Sequence, residues 1–89
     1  MADLTPFSVV LDKRALKELE RLPLHVQRRY YNKVKPELEK DPIAPRVNLD
    51  VKIIEVRGTA VYICVRVGDW RLAGRVDREE RTVRGLYWY

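Results

Sequence analysis

Histidine and cysteine are nearly absent from this chain: one of each, His25 and Cys64, in 89 residues. A single thiol closes no internal disulfide, and one histidine with one cysteine falls short of a zinc cluster. Ribonuclease chemistry of the paired-histidine kind is excluded on the same count. No apolar run approaches the roughly 20 residues that a membrane helix needs. The first residues lack the basic start and long apolar stretch of a secretory signal. There are no repeats and no low-complexity tract. These absences predict one metal-free, cofactor-free, cytoplasmic domain with no membrane role.

What is present is charge. Charged residues make up 35% of the chain and the formal net charge is +5. A surplus of that size on so small a domain favours an anionic partner. From Lys52 onward there are seven arginines (57, 66, 71, 75, 78, 81 and 84) and one lysine against five acids. Arginine grips phosphate with a planar fork and stacks on bases, which lysine does less well. High arginine usage in a thermophile or a GC-rich genome would give the same composition.

The hydrophobic pattern changes period halfway. Phe7 to Leu11 is short, apolar and β-branched, as in a strand. Asp12 is a good N-cap for a helix carrying Ala15, Leu16, Leu19 and Leu22, which Pro23 ends. Val26, Tyr30, Val34 and Leu38 define a second helix, with a kink or a fresh start expected at Pro36. Asp41-Pro42 and Pro45 mark a loop. Strands follow at 51–56, 60–67, 70–76 and 82–89. Their turns lie at Arg57-Gly58-Thr59, Gly68-Asp69 and 77–81. The order is β-α-α-β-β-β-β. The expected fold is α+β, a helical hairpin packed on one face of a mostly antiparallel sheet in a single domain.

Alternation then assigns the faces. Val61, Ile63, Val65 and Val67 turn inward with Trp70, Leu72 and Val76. Tyr62, Cys64, Arg66, Arg71, Ala73 and Arg75 turn outward. The tight turn in Arg66-Val-Gly-Asp-Trp-Arg71 mounts two guanidiniums on adjacent strands. Three cations on one face repel each other, an arrangement that suits a resident anion. A solvated face with scattered charges is the plainer reading. His25 reads as a surface residue, Tyr30 and Tyr31 as packing and rim residues, Asp69 as a turn former. Cys64 reads as a packed thiol. Trp88 and Tyr89 either stack on bases or close the core.

Ala15-Leu-Lys-Glu-Leu-Glu-Arg-Leu-Pro23, Leu38-Glu-Lys-Asp-Pro42 and Val65-Arg-Val-Gly-Asp-Trp-Arg-Leu72, in that order, resemble the RelE/ParE toxin superfamily. The last segment is the most specific. The Pro-rich loop followed by Val51-Lys-Ile-Ile54 is most similar to archaeal RelE. The resemblance implies a RelE-like domain that cuts mRNA in the ribosomal decoding site, with the ribose 2′-OH attacking the adjacent phosphate without a metal. Such a step needs a base, stabilisation of the phosphorane and an acid for the leaving oxygen. Carried over, Arg66 and Arg71 would hold the phosphate, and Arg84 with Tyr87 would complete the catalytic set. Lys52, Arg57, Arg75 and Tyr89 would contact RNA. A further basic position of the family motif is occupied here by Cys64.

The resemblance also implies a RelB-like antitoxin that wraps the toxin in a hetero-oligomer, expected as two toxins with two antitoxins, and occludes or distorts the basic face. Two other readings stay open. One is a ParE-type inhibitor of DNA gyrase. The other is a degenerate toxin that only binds its antitoxin.

Overall fold

Four consecutive strands joined by short turns build most of one sheet. The computed structural model describes residues 6–44, 47 and 49–89. Pro45, assigned above to a loop, lies outside the described residues. Strand β1 (Ser8–Leu11) leads through Asp12 into helix α1 (Lys13–Arg21). Helix α2 (Leu24–Arg29) runs through a π-helical turn (Tyr30–Val34) into α3 (Lys35–Lys40). Strands β2 (Val51–Arg57), β3 (Ala60–Val67), β4 (Trp70–Asp77) and β5 (Thr82–Trp88) follow. The sheet order is β1-β5-β4-β3-β2, with β1 parallel to β5 and every other pair antiparallel. This is the α+β arrangement that the pattern predicts.

The helices cover one face. Val26, Tyr30, Val34 and Leu38 are all buried, against Val61, Ile63, Val65, Val67, Leu72, Val76, Val83 and Trp88 of the sheet. Residues four apart on an ideal α-helix drift by about 40° per step. The wider π turn takes back part of that drift and keeps the four on one line. It also changes what Pro36 does. The Lys35 N–H reaches back to the Tyr30 C=O, so the ladder shifts by one residue just before the proline. Pro36 then sits in the first turn of α3, where its missing donor costs nothing. The helix passes through that point without a new N-cap.

One further detail differs from the sequence-based expectation. Asp12 occupies the N-cap of α1, but its carboxylate makes no capping bond; it pairs with Arg84 at 3.4 Å. Strand β2 is a free edge of the sheet. On that edge strand Ile53, Ile54 and Val56 are exposed at 48, 62 and 56%.

Candidate functional site

The uncovered face of the sheet is a grid set by strand register. Arg66 of β3 stands directly opposite Arg71 of β4. Arg71 in turn exchanges both backbone bonds with Tyr89, N–H to C=O at 2.8 Å and the reverse at 2.9 Å. The next rank is Cys64, Ala73 and Tyr87, and the third is Tyr62, Arg75 and Arg84. Lys52 of β2 borders the second rank beside Cys64.

The turn that joins the two arginines is glycine-dependent. Gly68 has φ +63°, and among the described residues the only non-glycine with positive φ is Arg81, so Asp69 has the negative φ of a type II′ hairpin. Its closing pair, Val67 and Trp70, leaves Arg66 and Arg71 as the close pair of the ladder, with Cα atoms about 4.5 Å apart. Both side chains are exposed, and among the described residues neither forms an ion pair. The Arg66 Nε–H donates to the Gly68 C=O at 3.2 Å, which fixes its stem and leaves the terminal nitrogens free. Asp50 and Asp69 line the shallow depression on the outer side of Arg66, together with Arg29. Two like charges in this register are unfavourable unless an anion lies between them.

Tyr89 completes this end of the face. Its hydroxyl lies 3.1 Å from the Cys64 Sγ. That hydrogen bond is the main cause holding the phenol pKa above its ordinary value, while the Arg71 guanidinium pulls the other way. The contact with Cys64 thus favours the protonated phenol. Its ring leans on Tyr87, with centroids 5.8 Å apart.

A clamp from α1 orients these aromatics. Glu18 accepts the Trp88 backbone N–H at 3.0 Å and the Arg14 Nε–H at 3.4 Å. The Arg14 guanidinium then lies 4.9 Å from the centre of the Tyr87 ring. Trp88 faces the other way, closing the core edge-on against Tyr30 with its indole N–H unpartnered. Of the two terminal aromatics, only Tyr89 is on the open face.

The residues singled out in the sequence fall into three groups. Arg66, Arg71 and Tyr89 come together, with Tyr87 one rank away. Arg75 and Arg84 form a second cluster two ranks down, roughly 13 Å along the strands. There they share a cleft of about 230 Å³ with Asp77, Glu80 and Thr82. Arg84 is tied to Asp12, and Arg75 lies 6.0 Å from the Tyr62 ring. Arg57 stands at the far end of β2 against Glu55 at 2.9 Å. Sequence reasoning missed Arg14 and Glu18, which no local motif marks, and the Cys64–Tyr89 contact.

Three solved structures similar to this fold are toxin–antitoxin complexes. The archaeal RelE–RelB complex from Pyrococcus horikoshii OT3 superposes with a TM-score of 0.83 at 28% identity, covering 93% of this chain and 92% of that one. The RelBE2 toxin–antitoxin complex from Mycobacterium tuberculosis gives 0.72 at 25% identity over 93 and 95%. The RelB–RelE complex from Methanococcus jannaschii gives 0.65 at 20% identity over 90 and 87%, a likeness of fold. No protein-family model and no curated protein matches the chain.

Proposed function

The chain belongs to the RelE superfamily, and from that premise we propose that it is the toxin of a type II toxin–antitoxin pair, an endoribonuclease that cuts mRNA on the ribosome. The observation that carries this reading is the direct opposition of Arg66 and Arg71 on the uncovered face, with the Tyr89 backbone paired to Arg71 and its hydroxyl against Cys64 of the next rank.

The chemistry follows from those three groups. A phosphodiester between the two guanidiniums is neutralised by forks carried on adjacent strands, which cannot drift apart. As the 2′-oxygen adds to phosphorus and its proton passes to solvent water, negative charge grows on the equatorial oxygens, within reach of two arginine side chains. In this reading the Tyr89 phenol gives its proton to the departing 5′-oxygen. Tyr87, held from behind by Arg14, offers a ring face to a neighbouring base. The partner is a RelB-like antitoxin, as in the complexes above, and its release exposes the basic face.

Expression of the chain alone should arrest growth, and purified protein should cleave mRNA on ribosomes. Arg71→Ala removes one charge-assisted contact worth about 1.5–3 kcal/mol. Cleavage should fall on the order of 10- to 100-fold with the fold intact. A protein that leaves ribosome-bound mRNA whole but blocks supercoiling by gyrase would replace this reading with the ParE-type one. A folded, antitoxin-binding protein with neither activity would make it a degenerate toxin.

A further inference from the structure

The free edge of the sheet carries a self-complementary code. Strand β2 and the residue before it read Asp50-Val-Lys-Ile-Ile-Glu-Val-Arg57. Reversed, the sequence repeats itself with every charge changed in sign and every apolar residue kept apolar. We propose that β2 is a homodimerisation edge, pairing antiparallel with β2 of a second copy of this chain about a two-fold axis.

In that register Asp50 faces Arg57 of the second copy, Val51 faces Val56, Lys52 faces Glu55 and Ile53 faces Ile54. Each contact occurs twice, as an isologous interface requires. Side-chain faces agree because of a register shift. Between Ile53 and Glu55 strand β2 carries a bulge, so that Lys52 lies opposite Cys64 and Glu55 opposite Tyr62. Both of those β3 residues are on the uncovered face. Without the extra residue, Lys52 and Glu55 would point to opposite faces and could not meet. Val51 and Val56 lie opposite the buried Val65 and Val61, so both are on the helix side.

The backbone agrees with the side chains. Asp50 gives its C=O inward to the Arg66 N–H. Alternation turns the N–H and C=O of Val51 outward. Arg57 pairs with Ala60 to close the Gly58-Thr59 turn, which turns those of Val56 outward as well. The two residues this register places opposite each other are thus two with free backbone groups.

Exposure gives the edge a reason to be covered. Ile53, Ile54 and Val56 are among the most exposed large apolar residues described, and β2 is a free edge of the sheet. A long apolar edge left bare invites uncontrolled pairing. Here the charges specify one partner and one register. Glu55 already holds Arg57 at 2.9 Å. Pairing extends this into a row of alternating sign: Lys52 of one copy, Glu55 and Arg57 of the other, then Asp50 of the first.

Sedimentation equilibrium of the isolated full chain over a range of concentrations tests the proposal. The mass should rise from 10.6 kDa toward twice that value. Lys52→Glu alone, or Glu55→Lys alone, sets like charges opposite each other at two symmetry-related places. Each should weaken the dimer on the order of tenfold or more. The double variant Lys52→Glu/Glu55→Lys restores the complementarity and should restore the dimer. Circular dichroism checks that each variant is folded. A mass of 10.6 kDa at every concentration overturns the proposal, whether the edge is bare or serves only another protein. So does a double variant as weak as the single ones.

Discussion

At Tyr89 two neighbours act in opposite directions on one proton. The Cys64 thiol hydrogen-bonds the phenol and raises its pKa; the Arg71 guanidinium favours the phenolate and lowers it. Removing the thiol takes away the largest cause that raises the pKa and leaves the arginine opposed only by burial and Tyr87. In Cys64→Ala the Tyr89 hydroxyl should therefore titrate at lower pH than in the wild type, followed by NMR of ring-labelled tyrosine. An unmoved titration would mean that the contact is not populated in solution. Tyr89→Phe removes the donor and keeps the ring. If the phenol protonates the leaving oxygen, this variant loses turnover while RNA affinity holds. If the ring only stacks on a base, turnover and affinity both survive. Cys64 read as a merely packed thiol from the sequence, because its partner is 25 residues away on a strand that is not its neighbour. Only the register of β3, β4 and β5 together brings the two side chains to one spot.

Among the elements, the β3–β4 hairpin holds the site, and its turn is the weak point. A Cβ at Gly68 would meet nothing within 4 Å, so steric room is not the constraint. The cost lies in φ +63°, which an L-residue with a Cβ adopts at a penalty of about 1–2 kcal/mol. Gly68→Ala should lower the unfolding free energy from urea denaturation by that amount, and Gly68→Asn by less, since asparagine tolerates this region better. Cleavage should fall more than stability alone explains, because the turn sets the angle between Arg66 and Arg71. This hairpin was legible in the sequence, since strict alternation and a Gly-Asp pair leave one register. Strand β5 was less so. A shift between Ala73 and Gly74 opposite Tyr87 and Gly85 changes its parity. Arg84 and Tyr87, three apart in sequence, thus share the uncovered face, where simple alternation would set them on opposite sides. The π turn was invisible for a related reason. Pro36 announced a disturbance, but whether a helix breaks, bends or widens depends on what Tyr30 and Val34 pack against.

On the scale of the whole molecule, the sheet separates two tasks. Its helix side carries the apolar packing, and its other side carries Arg66, Arg71, Arg75 and Arg84. Composition made this division readable early. Apolar residues fell on one parity of β3 and β4, and the surplus of arginine fell on the other. What composition could not give is the spacing of those charges. They stand as two pairs roughly 13 Å apart along the strands, and the second pair is diluted by Asp12, Asp77 and Glu80. Salt dependence reads this distribution directly. Each phosphate held on single-stranded RNA contributes about −0.7 to the slope of log affinity against log salt. If all four arginines hold phosphates, a short RNA should bind with a slope near −3. Replacing Arg66 and Arg71 together should flatten it by about 1.4. Arg57→Ala should leave it unchanged, because that side chain is occupied by Glu55 at the remote end of β2. Fluorescence anisotropy with a labelled oligonucleotide over a series of salt concentrations makes the measurement. A slope that ignores Arg66 and Arg71 but responds to Arg75 and Arg84 would move the RNA to the other cluster. The hairpin pair would then have to be assigned to a different anion.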